Sequence, residues 1–357
     1  MSRGMPVLLA ISFLSSLLDP VPVDINTADS FALESIAGIG PATAEAIILY
    51  RETVSEFHSV DELVFVPGVG PATLEAIRSR LTAVPVEVDD PGVDPVILRT
   101  PEDTLLTVVF LDVGNGDAIV LTAGGNTWMV DCGPPGEGGL RAPVVQRLME
   151  AGIDSLDAVA FTHPHADHIG GVTDAMEVFH CRRLIDPGID HASPVYENLL
   201  MYALDSCCAY ETADSGDVWN ISGDVALEVV WLRREACSAN EASAVYMVTC
   251  GDFSMLLTGD IENETIMELT MGQGPVSVMK VPHHGSRSSL FPPWIRRASP
   301  GIAVFCCGRG NPFGHPHPDV VQAWAETGAE ILRTDLNGNI FLVTDGESMT
   351  FTKTLSR

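Results

Sequence analysis

Lysine is nearly absent from this 357-residue chain: Lys280 and Lys353 stand against 17 arginines. With 26 Asp and 22 Glu the formal charge is -29, which excludes a general electrostatic attraction to nucleic acid or anionic lipid. Any phosphate recognition has to come from local sites. So acidic a surface also suits a salt-rich habitat, where charge is strongly screened. The eight cysteines form no C-x-x-C pair, which removes zinc-ribbon and thioredoxin readings. Several, such as Cys306 and Cys307, lie in apolar runs, and buried free thiols are expected there rather than disulfides. No segment reaches the roughly 20 apolar residues of a membrane span. Pro6 to Leu18, behind Arg3, has the length of a signal-peptide core but no small-x-small site follows it. For residues 1–20 a cleaved signal, a short anchor and a misassigned start stay open. The expectation is a secreted or membrane-associated, extracytoplasmic protein.

What is present divides the chain. Residues 22–84 carry an internal repeat with a 30-residue period: Gly38-Ile39-Gly40-Pro41-Ala42-Thr43 returns as Gly68-Val69-Gly70-Pro71-Ala72-Thr73. Each copy leads into an apolar pattern of helical spacing, so a small all-α domain is expected here. Residues 85–104, rich in proline and acidic side chains, read as a linker. From residue 105 to 357, β-branched runs alternate with helical segments, which predicts one layered α/β domain. Strands are expected at Leu105–Val113, Ala118–Thr122, Thr127–Asp131, Ala158–Thr162, Leu227–Leu232, Ala244–Val248, Ser254–Thr258, Val276–Val281, Ile302–Cys306, Ile331–Arg333 and Ile340–Val343. Helices are expected at Pro143–Ala151, Gly170–Phe179, Glu264–Leu269 and Asp319–Thr327.

The strongest chemical signal is His163-Pro164-His165-Ala166-Asp167-His168, three imidazoles and a carboxylate in six positions directly after an apolar strand. Imidazole and carboxylate are ligands for Zn²⁺ and other first-row divalent ions. A loop at a strand end can direct His163 and His165 to one ion, and Asp167 and His168 to a second. Asp260 ends an apolar strand at a glycine turn, where it either bridges cations or bonds turn backbone. His283 and His284 point to different sides, so at most one is an obvious ligand. His315 and His317 either share a cleft or cap the helix at Asp319. Lys280 either meets an anionic substrate or is an ordinary structural lysine.

H-x-H-x-D-H after a strand resembles the metallo-β-lactamase superfamily. Phe110-Leu111-Asp112-Val113-Gly114-Asn115-Gly116-Asp117, Met129-Val130-Asp131-Cys132-Gly133, Leu257-Thr258-Gly259-Asp260, Lys280-Val281-Pro282-His283-His284-Gly285 and Asn311-Pro312-Phe313-Gly314-His315-Pro316-His317 resemble, in order, motifs of ComEC-type DNA-uptake proteins. Asn115 stands where Gln is usual. The resemblance implies an αββα sandwich that hydrolyses substrates with one or two divalent ions, Zn or Mn, and no organic cofactor. It implies His163, His165, Asp167, His168, Asp260 and His284 as metal ligands, with Asp167, His283 and Lys280 in the chemistry. Asp112, Asp117, Asp131, Asn240, Ser243, His315 and His317 would support ligands or face substrate. One departure matters: between Ile169 and Asp260 the only histidines are His180 and His191. Asn240-Glu241-Ala242-Ser243 occupies the stretch where many relatives supply a third imidazole to the first ion, so that site is short of a ligand.

The N-terminal repeat, with Val23-Asp24-Ile25-Asn26-Thr27-Ala28, resembles the ComEA-type tandem helix-hairpin-helix DNA-binding module. Gly38, Gly40, Gly68 and Gly70 would admit phosphate close to the backbone at helix starts, with Arg51 nearby; otherwise they make tight helix connections. Three functions follow as expectations: a nuclease or phosphodiesterase acting on DNA, beside a membrane DNA-uptake complex; a hydrolase of a small ester, thioester or phosphoester; and a non-catalytic DNA-binding adaptor.

Overall fold

In a computed structural model the chain divides into two compact units, Met1–Val93 and Asp94–Arg357. The structure describes residues 22–53, 57, 60, 63, 66, 69–83, 105–181, 183–206, 208–269 and 274–354. The expected N-terminal apolar segment 1–20, the linker 85–104 and Gly68 lie outside these residues.

In the first unit, β1 (Val23–Asp24) precedes α1 (Ser30–Glu34), α2 (Pro41–Thr53) and α3 (Pro71–Ile77), and β2 (Leu81–Thr82) closes it. Periodicity dictates the packing, because the 30-residue offset maps buried residue onto buried residue. Leu33, Ile36, Ile39, Ala44 and Ile47 correspond to Leu63, Val66, Val69, Leu74 and Ile77, and all ten are buried. The turns repeat as well: Ile39 N–H donates to Ile36 O at 2.9 Å and Val69 N–H to Val66 O at 3.0 Å. Each turn feeds a helix with proline at its first position, where the missing N–H costs nothing. The unit departs from the all-α expectation in one respect. β1 pairs in parallel with β2, which ties its beginning to its end.

The second unit has two mixed sheets. The first contains β3 (Leu106–Phe110), β4 (Ala118–Ala123), β5 (Asn126–Cys132), β6 (Ala158–Ala160), β7 (Arg183–Asp186) and β8 (Ala209–Thr212). The second contains β9 (Val218–Ser222), β10 (Val225–Trp231), β11 (Val245–Cys250), β12 (Phe253–Leu257), β13 (Val278–Lys280), β14 (Ile302–Phe305) and β15 (Glu330–Arg333). The chain then returns to the first with β16 (Ile340–Thr344) and β17 (Met349–Lys353). Spatial orders are 17-16-3-4-5-6-7-8 and 15-14-13-12-11-10-9.

Strand alternation sorts the side chains into layers. Val108, Phe110, Ile119 and Leu121 face Leu227, Tyr246, Val248 and Met255 between the sheets. Val109, Leu111 and Val120 face outward onto α4 (Pro143–Glu150), α6 (Val172–Val178) and α7 (Pro194–Asp205), which follow the short α5 (Ala166–Ile169) or precede it. Leu256 and Met279 do the same against α8 (Asn263–Leu269), α9 (Pro292–Ala298) and α10 (Pro318–Ala325). The result is the four-layered αββα sandwich. Strands β7, β8, β9 and β17 and helices α7 and α9 were not expected from sequence. β8 and β17 are largely exposed and β9 partly so, which erases the apolar alternation that marks a strand. Among the described residues no helix is long and apolar enough to cross a membrane.

Candidate metal centre

The site is assembled at strand ends of both sheets. His163, His165, Asp167 and His168 follow β6, Asp117 and Asp131 flank β4 and end β5, Asp260 follows β12, and His284 follows β13. Close backbone approach fixes these loops. A Cβ on Gly116 would stand 2.1 Å from the Asp167 carbonyl oxygen, and one on Gly259 2.8 Å from Thr162 and 3.0 Å from the Ser243 side chain. Only glycine lets the Asp260 turn lie against both the His loop and the start of β11.

Three imidazoles are held through Nδ1 so that Nε2 points inward. His168 Nδ1 lies 2.8 Å from Asp131 Oδ2, and His284 Nδ1 lies 2.8 Å from the Cys306 carbonyl oxygen. Both partners are acceptors, so each Nδ1 carries the proton. Thr162 gives its hydroxyl proton to Asp131 at 2.8 Å and so accepts from His163 Nδ1 at 3.1 Å. A backbone or carboxylate partner that sets the tautomer is the usual support of a metal-binding histidine.

The inward atoms converge. Asp167, His168, Asp260 and His284 each bring one donor atom, all within 4.8 Å of one another. His168 Nε2 is 3.2 Å from Asp260 Oδ1, and His284 Nε2 is 3.4 Å from both Asp167 Oδ2 and Asp260 Oδ2. His168 Nε2, His284 Nε2 and Asp260 Oδ1 are buried yet complete no hydrogen bond. Buried polar atoms without partners are costly, and this donor set of imidazole and carboxylate fits a divalent cation. Asp117, Asp131 and His168 form a second convergent group behind the first.

Charge points the same way. Burial alone would raise every one of these carboxyls. In Asp260 the charges of His284 and His168 outweigh burial and hold it well below the usual range. In Asp167 the approach of His284 Nε2 to 3.4 Å and the His168 charge do so. Asp131 stays raised because burial prevails over His168. Burial opposes charge on His168 and His284 too, but Asp260 and its neighbours push both well above the ordinary value. His163 and His165 lack such carboxylate partners, so burial lowers them and favours the neutral, ligating form. Four carboxylates face one ammonium, that of Lys280, and the charge they draw onto His168 and His284, a set that stays negative and that folding tolerates best around a cation.

The two convergent groups leave out His163 and His165, which face one another, Nε2 to Nδ1, at 3.1 Å. Ser243 does not reach toward them; its Oγ accepts from Asp260 N–H at 3.2 Å. The ring of His191 lies 5.1 Å from that of His165. The Asn240 side-chain amide reaches Glu262 at 3.5 Å through Nδ2 while its Oδ1 is buried without a partner. The His315 ring lies between those of His283, edge-on at 5.6 Å, and His317, tilted at 5.0 Å, and burial lowers it to about 4. His317 precedes α10 but its side chain does not cap it; Nδ1 faces the Gly285 carbonyl at 3.4 Å.

Two expectations need correcting. Lys280 is fully buried, 2.5 Å from Asp117 Oδ2 and 2.8 Å from the Gly259 carbonyl, because β13 is covered on both faces. It balances charge behind the site and cannot meet a substrate. Asp112 is not drawn into the cluster either; its carboxylate lies 3.8 Å from Arg147 Nη2. In the first unit Gly38, Gly40 and Gly70 lie at the two turns before α2 and α3, and Arg51 donates to the Ile25 carbonyl at 2.8 Å. Sequence reasoning missed Thr162, Glu241 and Glu262. Glu241 accepts from the N–H groups of Glu262, Glu264 and Thr265 at 3.2, 3.0 and 2.9 Å, anchoring the start of α8.

A sandwich with imidazole and carboxylate donors gathered at the strand ends of both sheets has the architecture of a metallohydrolase. Residues 111–309 match the model of the metallo-beta-lactamase superfamily, and the chain belongs to that family. Residues 19–82 match the helix-hairpin-helix motif. The chain is 35% identical over 199 residues to ComE operon protein 3 of Bacillus subtilis (strain 168), covering 54% of this chain and 25% of that protein. It is 26% identical over 244 residues to competence protein ComA of Neisseria gonorrhoeae, covering 67% and 32%. A further match is 43% identical over 60 residues to ComE operon protein 1 of the same Bacillus strain, covering 17% of this chain and 29% of that protein. The chain therefore spans less than a third of the length of these relatives.

Proposed function

We propose that the protein is a metal-dependent phosphodiesterase that cleaves DNA, acting outside the cytoplasm beside a DNA-uptake complex. The observation that carries this is the union, in one chain, of a helix-hairpin-helix match and a hydrolase-family donor cluster. The name of the Neisseria relative, a competence protein, supports the setting.

One or two divalent ions, zinc or manganese, would be held by Asp167, His168, Asp260 and His284, with His163 and His165 as a weaker second position, and would supply activation of water and neutralisation of charge growing on phosphorus. Asp260 faces His168 with one oxygen and His284 with the other. Asp167 has a side chain 33% exposed, against 3% or less for His168, Asp260 and His284. It is the member placed to orient an incoming water. The first unit contributes backbone N–H groups at the starts of α2 and α3, a weak and salt-sensitive hold on phosphate given so few basic residues.

The test is cleavage of single- and double-stranded oligonucleotides by purified protein with Mn²⁺, Zn²⁺ or Mg²⁺, alongside His165→Ala and Asp167→Asn. Metal-dependent cleavage lost in both variants is expected. Turnover of a small phosphoester with none of DNA would move the assignment to a small-molecule hydrolase. DNA binding without hydrolysis under all three ions would make it an adaptor.

A further inference from the structure

His283 repeats, outside the ligand cluster, the device that orients the three inward imidazoles. Its Nδ1 lies 3.0 Å from Glu262 Oε1 and 3.2 Å from Ser288 Oγ. Ser288 gives its own hydroxyl proton to Ser286 Oγ at 3.0 Å, and a carboxylate can only accept. Both neighbours of Nδ1 therefore offer lone pairs, and Nδ1 carries the proton. The other nitrogen, Nε2, is on the Asp260 side, 3.8 Å from Oδ2. His283 is 21% exposed at its side chain and His284 only 1%, so of the two adjacent histidines His283 is the one open to solvent. It adopts a left-handed backbone, φ 48°, a strained state that persists only where surroundings dictate it.

Glu262 is itself held. Its N–H donates to Glu241 at 3.2 Å, and Asn240 reaches its carboxylate. The Asn240–Ser243 segment, which supplies no imidazole, thus braces Glu262 through Glu241 and Asp260 through Ser243.

We propose that Glu262 is a positioning residue that, with Ser288, locks His283 as the Nδ1–H tautomer and presents its bare Nε2 to the substrate. The proposal rests on the hydrolase reading of the site. Glu262 touches no substrate; it fixes the ring that does.

The experiment uses the full metal-loaded chain. Nitrogen NMR of histidine-labelled protein, with His283→Gln to identify the signal, reads which ring nitrogen is protonated. Steady-state kinetics and metal analysis follow on Glu262→Ala, Glu262→Gln and Ser288→Ala. Expected are a protonated Nδ1 in the parent, a mixed tautomer in Glu262→Ala, and a kcat lower by about 10–100-fold with KM and metal content unchanged. Glu262→Gln, whose amide oxygen still accepts, recovers most of kcat. A bare Nδ1 in the parent would overturn the proposal, as would an unchanged kcat in Glu262→Ala or a loss of metal matching the loss of activity. If Glu262→Ala does not fold, Glu262→Gln combined with Ser288→Ala reads the same loss. A parent inactive on DNA counts against the proposed substrate, whereas the tautomer still decides the role of Glu262.

Discussion

The two units solve opposite problems with buried polar groups. Among the described residues, the first unit buries one polar side chain, Asn26, which donates to the Phe57 carbonyl at 2.8 Å and accepts from Phe57 N–H at 2.7 Å. It is satisfied by backbone. The second unit buries Asp117, Asp131, Asp260, Lys280, His168 and His284 at 2% exposure or less, and several of their atoms complete no hydrogen bond. One unit holds a shape. The other holds charge that its own chain leaves uncompensated, and that difference marks where a cation belongs.

The largest expected effect comes from removing a carboxylate. Asp260→Asn should lower metal-dependent hydrolysis by about 10³-fold and cut bound metal, while DNA affinity measured in chelator stays unchanged; retained turnover would break the contrast. Next, Lys280→Met should destabilise the second unit by about 3–5 kcal/mol, because it leaves the Asp117 carboxylate buried without its ammonium partner. Denaturant unfolding followed by hydrogen exchange in each unit would show the loss confined to the second. Chelation should act on the same unit alone. At a metal concentration of about 100–1,000 times Kd, bound ion adds about 3–4 kcal/mol, so calorimetry with and without chelator should move one transition and leave the other. A shift of both would show the units are not independent in this respect. Asn26→Ala should cost the first unit about 1–3 kcal/mol by stranding the Phe57 backbone groups, with small-substrate turnover unaffected. Smallest of all, Arg141→Ala, which removes an exposed pair with Glu137 at 3.2 Å, should change stability by less than about 1 kcal/mol.

How much of this is written locally explains how much was legible. The repeat in residues 22–84 and the His163–His168 series are contiguous, so pattern and spacing exposed them. Buried strands β3 to β5 announced themselves through Val, Ile and Leu. Lys280 misled because one charged residue on an apolar strand looks like a gap in burial; only the sandwich reveals that β13 has no open face. Glu241 and Glu262 stayed silent because their partners lie 21 to 24 residues away, or beyond any helical period, and are often backbone N–H groups that no motif records. Thr162 was visible as a neighbour of His163, but its link to Asp131 across 31 residues depends on β5 and β6 lying side by side.

The contact of Gly259 with Thr162 and Ser243 has a consequence for how the protein matures. The four-donor cluster takes Asp167 and His168 from one sheet and Asp260 and His284 from the other, so that cluster closes only once the two halves have met. Cation uptake at that cluster then reports a finished sandwich rather than guiding an early step.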